Sequence, residues 1–395
     1  MRSASSAAGV RCEMTVITCI GDLRQLARRR IPRAIFDYAD RGACDELTLR
    51  RNRSDLDELI FRQRVAVDIG SVSLATHIAG QPASMPVGIA PTGLAGFFHR
   101  DGEILGARAA EAANIPFCLS TMSICSIEDV RSAVRKPFWF QIYLMRDRAF
   151  NRELIERARA AQCPALVLTL DLQVQGVRRH EIKSGLAIPP RLTAANVLEI
   201  ARKPRWALGV LRGKRRTFGN LAAYVSRSAE LATLAEWIAA QFDPSVTWKD
   251  VEWVRSVWPG KLILKGILDA DDAQHACAIG ADAIVVSNHG GRQLDSAPST
   301  ISVLPEIVAA VQERCEVLFD GGVLSGQDVL KALARGARAC LVGKAFLYSL
   351  AALGEAGVTT MLQIMRRELA VSLALTGRTS VENVDDSILR RDPAR

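Results

Sequence analysis

Eight short runs of apolar and β-branched residues recur along the chain, at residues 86–91, 117–121, 138–144, 165–171, 262–266, 283–288, 317–322 and 339–344. Their length and near-continuous hydrophobicity predict strands buried on both faces, as in a parallel sheet. Between them lie amphipathic stretches, among them 101–114, 126–135, 148–161, 269–279, 303–314 and 326–335. These open on polar or small residues and close near Gly, Asn or a cation, as helices do. Eight alternating units predict an α/β fold of the closed (β/α)8 TIM-barrel type rather than an open sheet. No Gly-x-Gly-x-x-Gly follows a predicted strand, so a nicotinamide-binding Rossmann unit is not indicated.

The alternation breaks once. Roughly ninety residues separate the fourth strand from the fifth, far beyond the ~10–15 of a crossover helix and its loops, so an insertion is predicted at about 186–250. The chain is otherwise expected to form one domain over 1–395. Its polar residues fall where the strands end: Thr92, Ser120, Gln141 with Tyr143, Thr169 with Asp171, Lys265, Ser287 with His289, Asp320 with Gly321 and Gly322, and Gly343 with Lys344. In a barrel those ends form the active-site face, and packing alone would not fill all eight with such candidates.

Composition narrows the class. With 395 residues, 49% of them hydrophobic, the chain can bury a large core, which excludes a disordered protein. No apolar run approaches the ~20 residues of a membrane-spanning helix, and the first ten residues are too short and polar for a secretory signal, so a reduced, cytoplasmic location is expected. The nine cysteines include no Cys-x-x-Cys pair and no histidine at metal spacing. They are expected to be buried small hydrophobes, with no metal site and no disulfide framework.

The formal charge of +9 is unevenly spread. Residues 186–220 carry Arg191, Arg202, Lys203, Arg205, Arg212, Lys214, Arg215 and Arg216 against one acid, Glu199, interleaved with Trp206, Leu208, Val210 and Leu211. Two readings stay open for this segment. It suits a solvated lid over the barrel mouth, and equally a peripheral seat on an anionic membrane, at the cytoplasmic face of the inner membrane, where each cation contributes ~1 kcal/mol. Nucleic-acid binding is disfavoured, because no aromatic platform or recognised module accompanies the charge.

The run Ser287-Asn288-His289-Gly290-Gly291-Arg292-Gln293-Leu294-Asp295 leaves the sixth predicted strand. It sets an imidazole able to take a proton three residues before a guanidinium able to grip a carboxylate, with two glycines that let the chain turn. A base beside an anion clamp suits chemistry on a carboxylic acid; the alternative is a plain turn at a strand end. After the last two strands, Asp320-Gly321-Gly322 and Gly343-Lys344 suit a phosphate site, with backbone N–H groups free to approach and Lys344 adding charge. Lys265 would be costly to bury unless it faced a group that carries or gains negative charge.

Together the nonapeptide and these strand ends resemble the FMN-dependent L-2-hydroxy acid oxidising enzymes, from about residue 20 to 390. The resemblance implies FMN as cofactor, His289 as the base, Asp171 as the carboxylate that orients it, and Lys265, within Leu264-Lys265-Gly266, beside the flavin. It implies that Tyr38, Arg178 and Arg292 hold the substrate carboxylate and that Tyr143 is a second substrate-binding tyrosine. Pro91-Thr92-Gly93 would face the flavin, Ser120, Gln141 and Thr169 would contact its ring and ribityl chain, and Ser287, Asp320, Gly321, Gly322, Gly343 and Lys344 would complete the cofactor site. The nearest branch is the bacterial respiratory L-lactate dehydrogenases, through Phe117-Cys118-Leu119-Ser120-Thr121, Trp139-Phe140-Gln141-Ile142-Tyr143, Phe242-Asp243-Pro244-Ser245 and Trp248-Lys249-Asp250. This branch implies oxidation of L-lactate to pyruvate, with electrons passed to a quinone or other respiratory acceptor, in a homo-oligomer, by resemblance a tetramer.

The chain also departs from the pattern. Leu324 stands where many of the resembling enzymes carry an arginine at the FMN phosphate, and Lys344 replaces another; lysine lacks the bidentate fork, so the phosphate grip is expected to be looser or supplied differently. The loop Asp171-Leu172-Gln173-Val174-Gln175-Gly176 lacks prolines common there, and Met14 is an alternative start to Met1. Competing readings are an oxidase that produces hydrogen peroxide, a mandelate or glycolate dehydrogenase, an FMN-barrel isomerase, and a non-catalytic flavin-binding protein. An isomerase has no need of His289 beside Arg292, and a non-catalytic binder would be expected to lose one of them.

Overall fold

The computed structural model describes residues 16–184, 194–215, 217–221 and 241–390. An antiparallel hairpin, β1 (Thr76–Ile78) and β2 (Gln81–Ala83), precedes eight parallel strands. These are β3 (Val87–Ile89), β4 (Cys118–Ser120), β5 (Trp139–Ile142), β6 (Ala165–Thr169), β7 (Lys261–Ile267), β8 (Ala283–Val286), β9 (Glu316–Phe319) and β10 (Ala339–Val342). Each lies in or overlaps one of the runs predicted from hydrophobicity. Every strand pairs with its sequence neighbour from β4 to β10, β10 pairs with β3, and Ile89 bridges to Phe117 beside β4, so the sheet closes into a barrel.

The strands are buried on both faces because both are covered. Val167, Ile263, Val285, Leu318 and Leu341 point inward, interleaved with small residues such as Ala165, Ala283 and Ala339 that fit the tapering interior. Ile78, Ala79 and Ala83 of the hairpin join this inner cluster, and Trp139 donates from Nε1 to Gln81 Oε1 at 3.0 Å, so the hairpin plugs one end. The alternate strand residues pack outward against a ring of helices.

One helix follows each strand: Gly102–Ala113, Ile127–Ala133, Arg148–Ala160, Trp248–Val257, Ala270–Ala278, Thr300–Val311, Gly326–Ala334 and Lys344–Leu353. Their starts are set by side-chain caps at Ser126, Asp147, Asp269, Ser299 and Ser325. The helix expected at 303–314 therefore begins earlier, at Thr300, with Pro305 inside it. Beyond the barrel lie the N-terminal helices Ile20–Arg30, Arg33–Asp40 and Leu47–Glu58 and the long Glu355–Leu375. Ile20–Arg30 packs on Lys344–Leu353, and Glu355–Leu375 packs on that helix and on Gly326–Ala334.

The helix that pairs with β6 is Trp248–Val257, so the insertion stands between a strand and its own helix, on the face where strands end. Its described parts fold back onto that face. Trp206, on helix Pro204–Leu211, donates from Nε1 to Phe97 O at 2.7 Å, and Arg215 bridges Asp101 and Asp129 at 2.7 and 2.8 Å. Arg202, Arg205, Arg212 and Lys214 are exposed, with Leu208 and Leu211 beside them. Arg191, Arg216 and Met14 lie outside the described residues.

The cysteines are less uniform than expected. Cys118, Cys125, Cys163, Cys315 and Cys340 are buried, but Cys19 is exposed and Cys44 and Cys277 are half-buried. Cys19 caps helix Ile20–Arg30 at the surface, and Cys277 sits on a barrel helix with its Sγ 3.0 Å from Cys315 Sγ. Among the described residues, no helix is long and apolar enough to cross a membrane.

Candidate active site

After β8 three successive residues take left-handed backbone: His289 (φ 57°), Gly290 (65°) and Gly291 (75°). The glycines do so freely, whereas His289 pays about 1–2 kcal/mol for a conformation that residues with a Cβ avoid. A Cβ on Gly291 would also lie 2.6 Å from Leu49 Cα, so the turn is pressed against helix Leu47–Glu58. The turn carries the imidazole into the barrel mouth, where His289 Nδ1 lies 2.9 Å from Asp171 Oδ1.

Asp171 reaches that position because of the residue after Lys265. Gly266 has φ 102° in a bulge that shifts register between Lys265 and Ile267, and a Cβ there would stand 2.7 Å from Asp171 Cβ. Any side chain would displace the carboxylate. Lys265 itself lies 2.8 Å from Asp320 Oδ2 and donates to Ser287 Oγ at 2.7 Å. The negative partner that its burial demanded is therefore supplied by the protein, from the end of β9.

The charges settle accordingly. Burial pushes the His289 pKa below the ordinary imidazole value against the pull of Asp171, which favours the neutral ring that can accept a proton. Burial would raise Asp171, but His289 and Lys265 outweigh it and hold the carboxyl below its usual range. Lys265 is kept protonated: burial lowers it, and Asp320 and Asp171 more than compensate. Burial also raises the Tyr143 phenol, with Asp171 adding to the effect and Arg178 and Arg292 opposing it.

Arg178 and Arg292 come together as expected, but with a third partner. Glu181 Oε1 lies 3.1 Å from Arg292 Nη2 and 3.7 Å from Arg178 Nη1. Arg292 also donates from Nη1 to Tyr38 O, and its guanidinium stacks 4.5 Å from the centroid of the Tyr38 ring. Tyr143 packs edge-on to Phe242, ring centroids 5.5 Å apart.

These groups surround a cavity of about 770 Å³ at the strand ends. This lies within the usual ~300–1,000 Å³ of cofactor and substrate pockets. Of the predicted site residues, Tyr38, Pro91, Thr92, Gly93, Ser120, Tyr143, Thr169, Arg178, Lys265, His289, Arg292, Asp320, Gly321, Gly322, Gly343 and Lys344 line it. Gln141, Asp171 and Ser287 stand behind the lining, bonded to Ser120, His289 and Lys265. Lys344 turns its ammonium to the carbonyls of Ala39 (2.5 Å) and Arg41 (3.3 Å) at the end of helix Arg33–Asp40. Leu324 lines the cavity too, and the nearby cation is Arg53, which donates to Gly322 O at 2.8 Å and to both oxygens of Asp328.

Sequence reasoning missed several supports. Asn288 exchanges amide hydrogen bonds with Asn52 at 2.7 and 2.8 Å, and Asp295 accepts from Asp45 N and Thr48 N at 2.9 Å, so the tail of the nonapeptide anchors helix Leu47–Glu58. Gln293 donates to Asp171 O and Val174 O, fastening the loop after β6. Only their place inside the nonapeptide marked Asn288, Gln293 and Asp295; nothing marked Glu181, Asn52 or Arg53.

Four buried side-chain atoms at the strand ends make no hydrogen bond among the described residues: Gln141 Nε2, Thr169 Oγ1, Asp171 Oδ2 and Asp320 Oδ1. Thr169 and Asp320 line the cavity, and unpaired buried polar atoms there call for a polar occupant. A flat heterocycle edged with carbonyl and ring nitrogen atoms, as in FMN, fits them. Among the described residues no group of three or more His, Cys, Asp or Glu side chains could hold a metal ion.

The chain is similar to the L-lactate dehydrogenase of Caulobacter vibrioides (strain NA1000 / CB15N), 46% identical over 375 residues, 95% of this chain and 98% of the relative. It is equally similar to the L-lactate dehydrogenase of Pseudomonas syringae pv. syringae (strain B728a), at 46% with the same coverage. Among solved structures it resembles the monotopic membrane protein (S)-mandelate dehydrogenase, with a TM-score of 0.90, 37% identity, and coverage of 95% of this chain and 100% of that one. With residues 27–391 also matching the description FMN-dependent dehydrogenase, the chain belongs to that family and is an FMN-dependent oxidoreductase.

Proposed function

We propose that this enzyme oxidises a small L-2-hydroxy acid, L-lactate to pyruvate by preference, and passes the electrons to a quinone or another respiratory acceptor. The observation that carries the reading is the His289 imidazole, backed by Asp171 at 2.9 Å, opening on the same cavity as Arg178 and Arg292. Arg178, Arg292 and Tyr38 hold the substrate carboxylate, which places the substrate hydroxyl and α-carbon before His289 Nε2. His289 takes the proton, and Asp171 stabilises the imidazolium that results. Bound FMN supplies the two-electron sink. Pro91, Thr92, Gly93, Ser120, Gln141 and Thr169 would orient it, Lys265 would lend positive charge beside it, and Gly321, Gly322, Gly343 and Lys344 would receive its phosphate.

Exposed Leu208 and Leu211 among Arg202, Arg205, Arg212 and Lys214 support a peripheral seat on an anionic membrane, as the likeness to a monotopic membrane enzyme also does. The enzyme then works as a homo-oligomer at the cytoplasmic face of the inner membrane. Mandelate is the second substrate reading, favoured by the same likeness.

Anaerobic addition of L-lactate to the FMN-loaded enzyme is expected to bleach the flavin, with reoxidation faster by a quinone than by oxygen. His289→Gln should keep its flavin while turnover falls by about 10²–10⁴-fold. Parental turnover in that variant, or no bleaching by any 2-hydroxy acid, would end the proposal.

A further inference from the structure

Glu181 is a buried acid to which the reaction above gives no task. It stands on the short helix Arg179–Ser184, its side chain 9% exposed, lining the same cavity as Tyr38, Tyr143 and the two arginines. Much of the remaining donor capacity of those arginines is committed. Arg178 donates from Nε to Arg292 O and from Nη2 to Gln293 Oε1, both at 3.3 Å, and Arg292 donates from Nη1 to the carbonyls of Tyr38 and Arg41. A substrate carboxylate thus enters a clamp that already holds a carboxylate.

The charge balance of this pocket is tight. Two guanidinium groups and Glu181 leave one net positive charge, which a single carboxylate cancels. A second carboxylate on the substrate would remain as an unmatched anion in a largely buried pocket, and such charges are costly to desolvate. Of the neighbouring cations, Lys265 is matched by Asp320 at 2.8 Å, and Lys344 is held by the Ala39 and Arg41 carbonyls and, in the proposed function, matched by the FMN phosphate.

We infer that Glu181 is the resident carboxylate of the clamp and a specificity-determining residue, competing with the substrate for Arg292 and restricting the site to 2-hydroxy monocarboxylates. The inference rests on the reading of Arg178 and Arg292 as the substrate clamp. Without Glu181 the pair would attract a monocarboxylate more strongly and tolerate a dicarboxylate.

The test uses the full-length, FMN-loaded enzyme and its Glu181→Gln variant. Binding of propanoate and succinate is read from the perturbed flavin spectrum, and turnover is measured with L-lactate and L-malate. Glu181→Gln should bind propanoate about tenfold more tightly and raise the malate-to-lactate ratio of kcat/KM by about tenfold or more, as the loss of one nearby like charge predicts. Weaker propanoate binding with an unchanged ratio would make Glu181 a structural prop and overturn the inference. Losing a buried partner can destabilise the fold, so melting temperature provides a second reading. Propanoate should raise it more in Glu181→Gln than in the parent, and Glu181→Asp, which keeps the charge on a shorter arm, should fall between; equal shifts in all three overturn the inference as well. If the parent oxidises no 2-hydroxy acid, the proposed reaction fails by itself, while propanoate binding still decides the role of Glu181.

Discussion

At the start of helix Lys344–Leu353, burial and the charge of Arg292 push the Lys344 pKa down to about 7, with Asp40 and Glu46 opposing. A phosphate set beside Gly321 and Gly322 would favour the protonated form and raise that value. The cofactor-bound state then holds more protons than the free state between the two pKa values, so FMN affinity falls as pH rises above about 7. The expected slope approaches a tenfold weakening per pH unit, read by quenching of FMN fluorescence on titration with the apoprotein. Lys344→Arg, always charged, should flatten it. Equal slopes in both proteins would show that Lys344 does not meet the phosphate. Most of the residue-scale site was legible: Lys265, His289 and Arg292 stood out because ionisable groups at strand ends have few structural uses. Glu181 did not, since an acid in a stretch of Arg, His and Lys looks like a solvated surface until the chain folds it between two arginines.

At the scale of elements, helix Pro204–Leu211 has two faces at work. Trp206 and Val210 line the cavity and the indole is bonded to Phe97 O, while Leu208 and Leu211, 47% and 61% exposed, point outward. Both readings of the insertion thus find support in one helix, a cover over the mouth on one side and an apolar strip on the other. Cosedimentation with vesicles rich in anionic lipid should fall about tenfold or more for the double variant Leu208→Glu with Leu211→Glu, with flavin bleaching retained. Undiminished sedimentation would leave only the cover. The barrel strands were legible because burial on both faces prints continuous apolar runs. Helix Leu47–Glu58 was not: its buried stripe is Thr48, Asn52 and Leu56, and two of the three are polar residues whose partners, Asn288, Leu294 and Ala297, lie more than two hundred residues away.

Across the whole molecule, the N-terminal helices close the barrel mouth through few but specific ties. Arg53 joins helix Leu47–Glu58 to Gly322 O and to Asp328, a carboxylate only 2% exposed that also accepts from Leu324 N at 2.9 Å, just before helix Gly326–Ala334. Arg53→Met leaves that carboxylate short of two hydrogen bonds and should cost about 1–3 kcal/mol in urea unfolding. It should also weaken FMN binding, because the loop carrying Gly321, Gly322 and Leu324 loses its brace; unchanged stability and affinity would make the ion pair incidental. The alternation of strands and helices, the insertion and the residues at strand ends can be read from the amino-acid order, because hydrophobic period and strand termini are local properties of the chain. It took the folded chain to show that Lys265 is matched by Asp320, that Glu181 sits in the clamp, that Lys344 faces backbone carbonyls and that Arg53 braces the Gly322 loop. Each depends on charges brought together from distant segments, and Coulomb energy depends on separation in space, which spacing along the chain does not reveal.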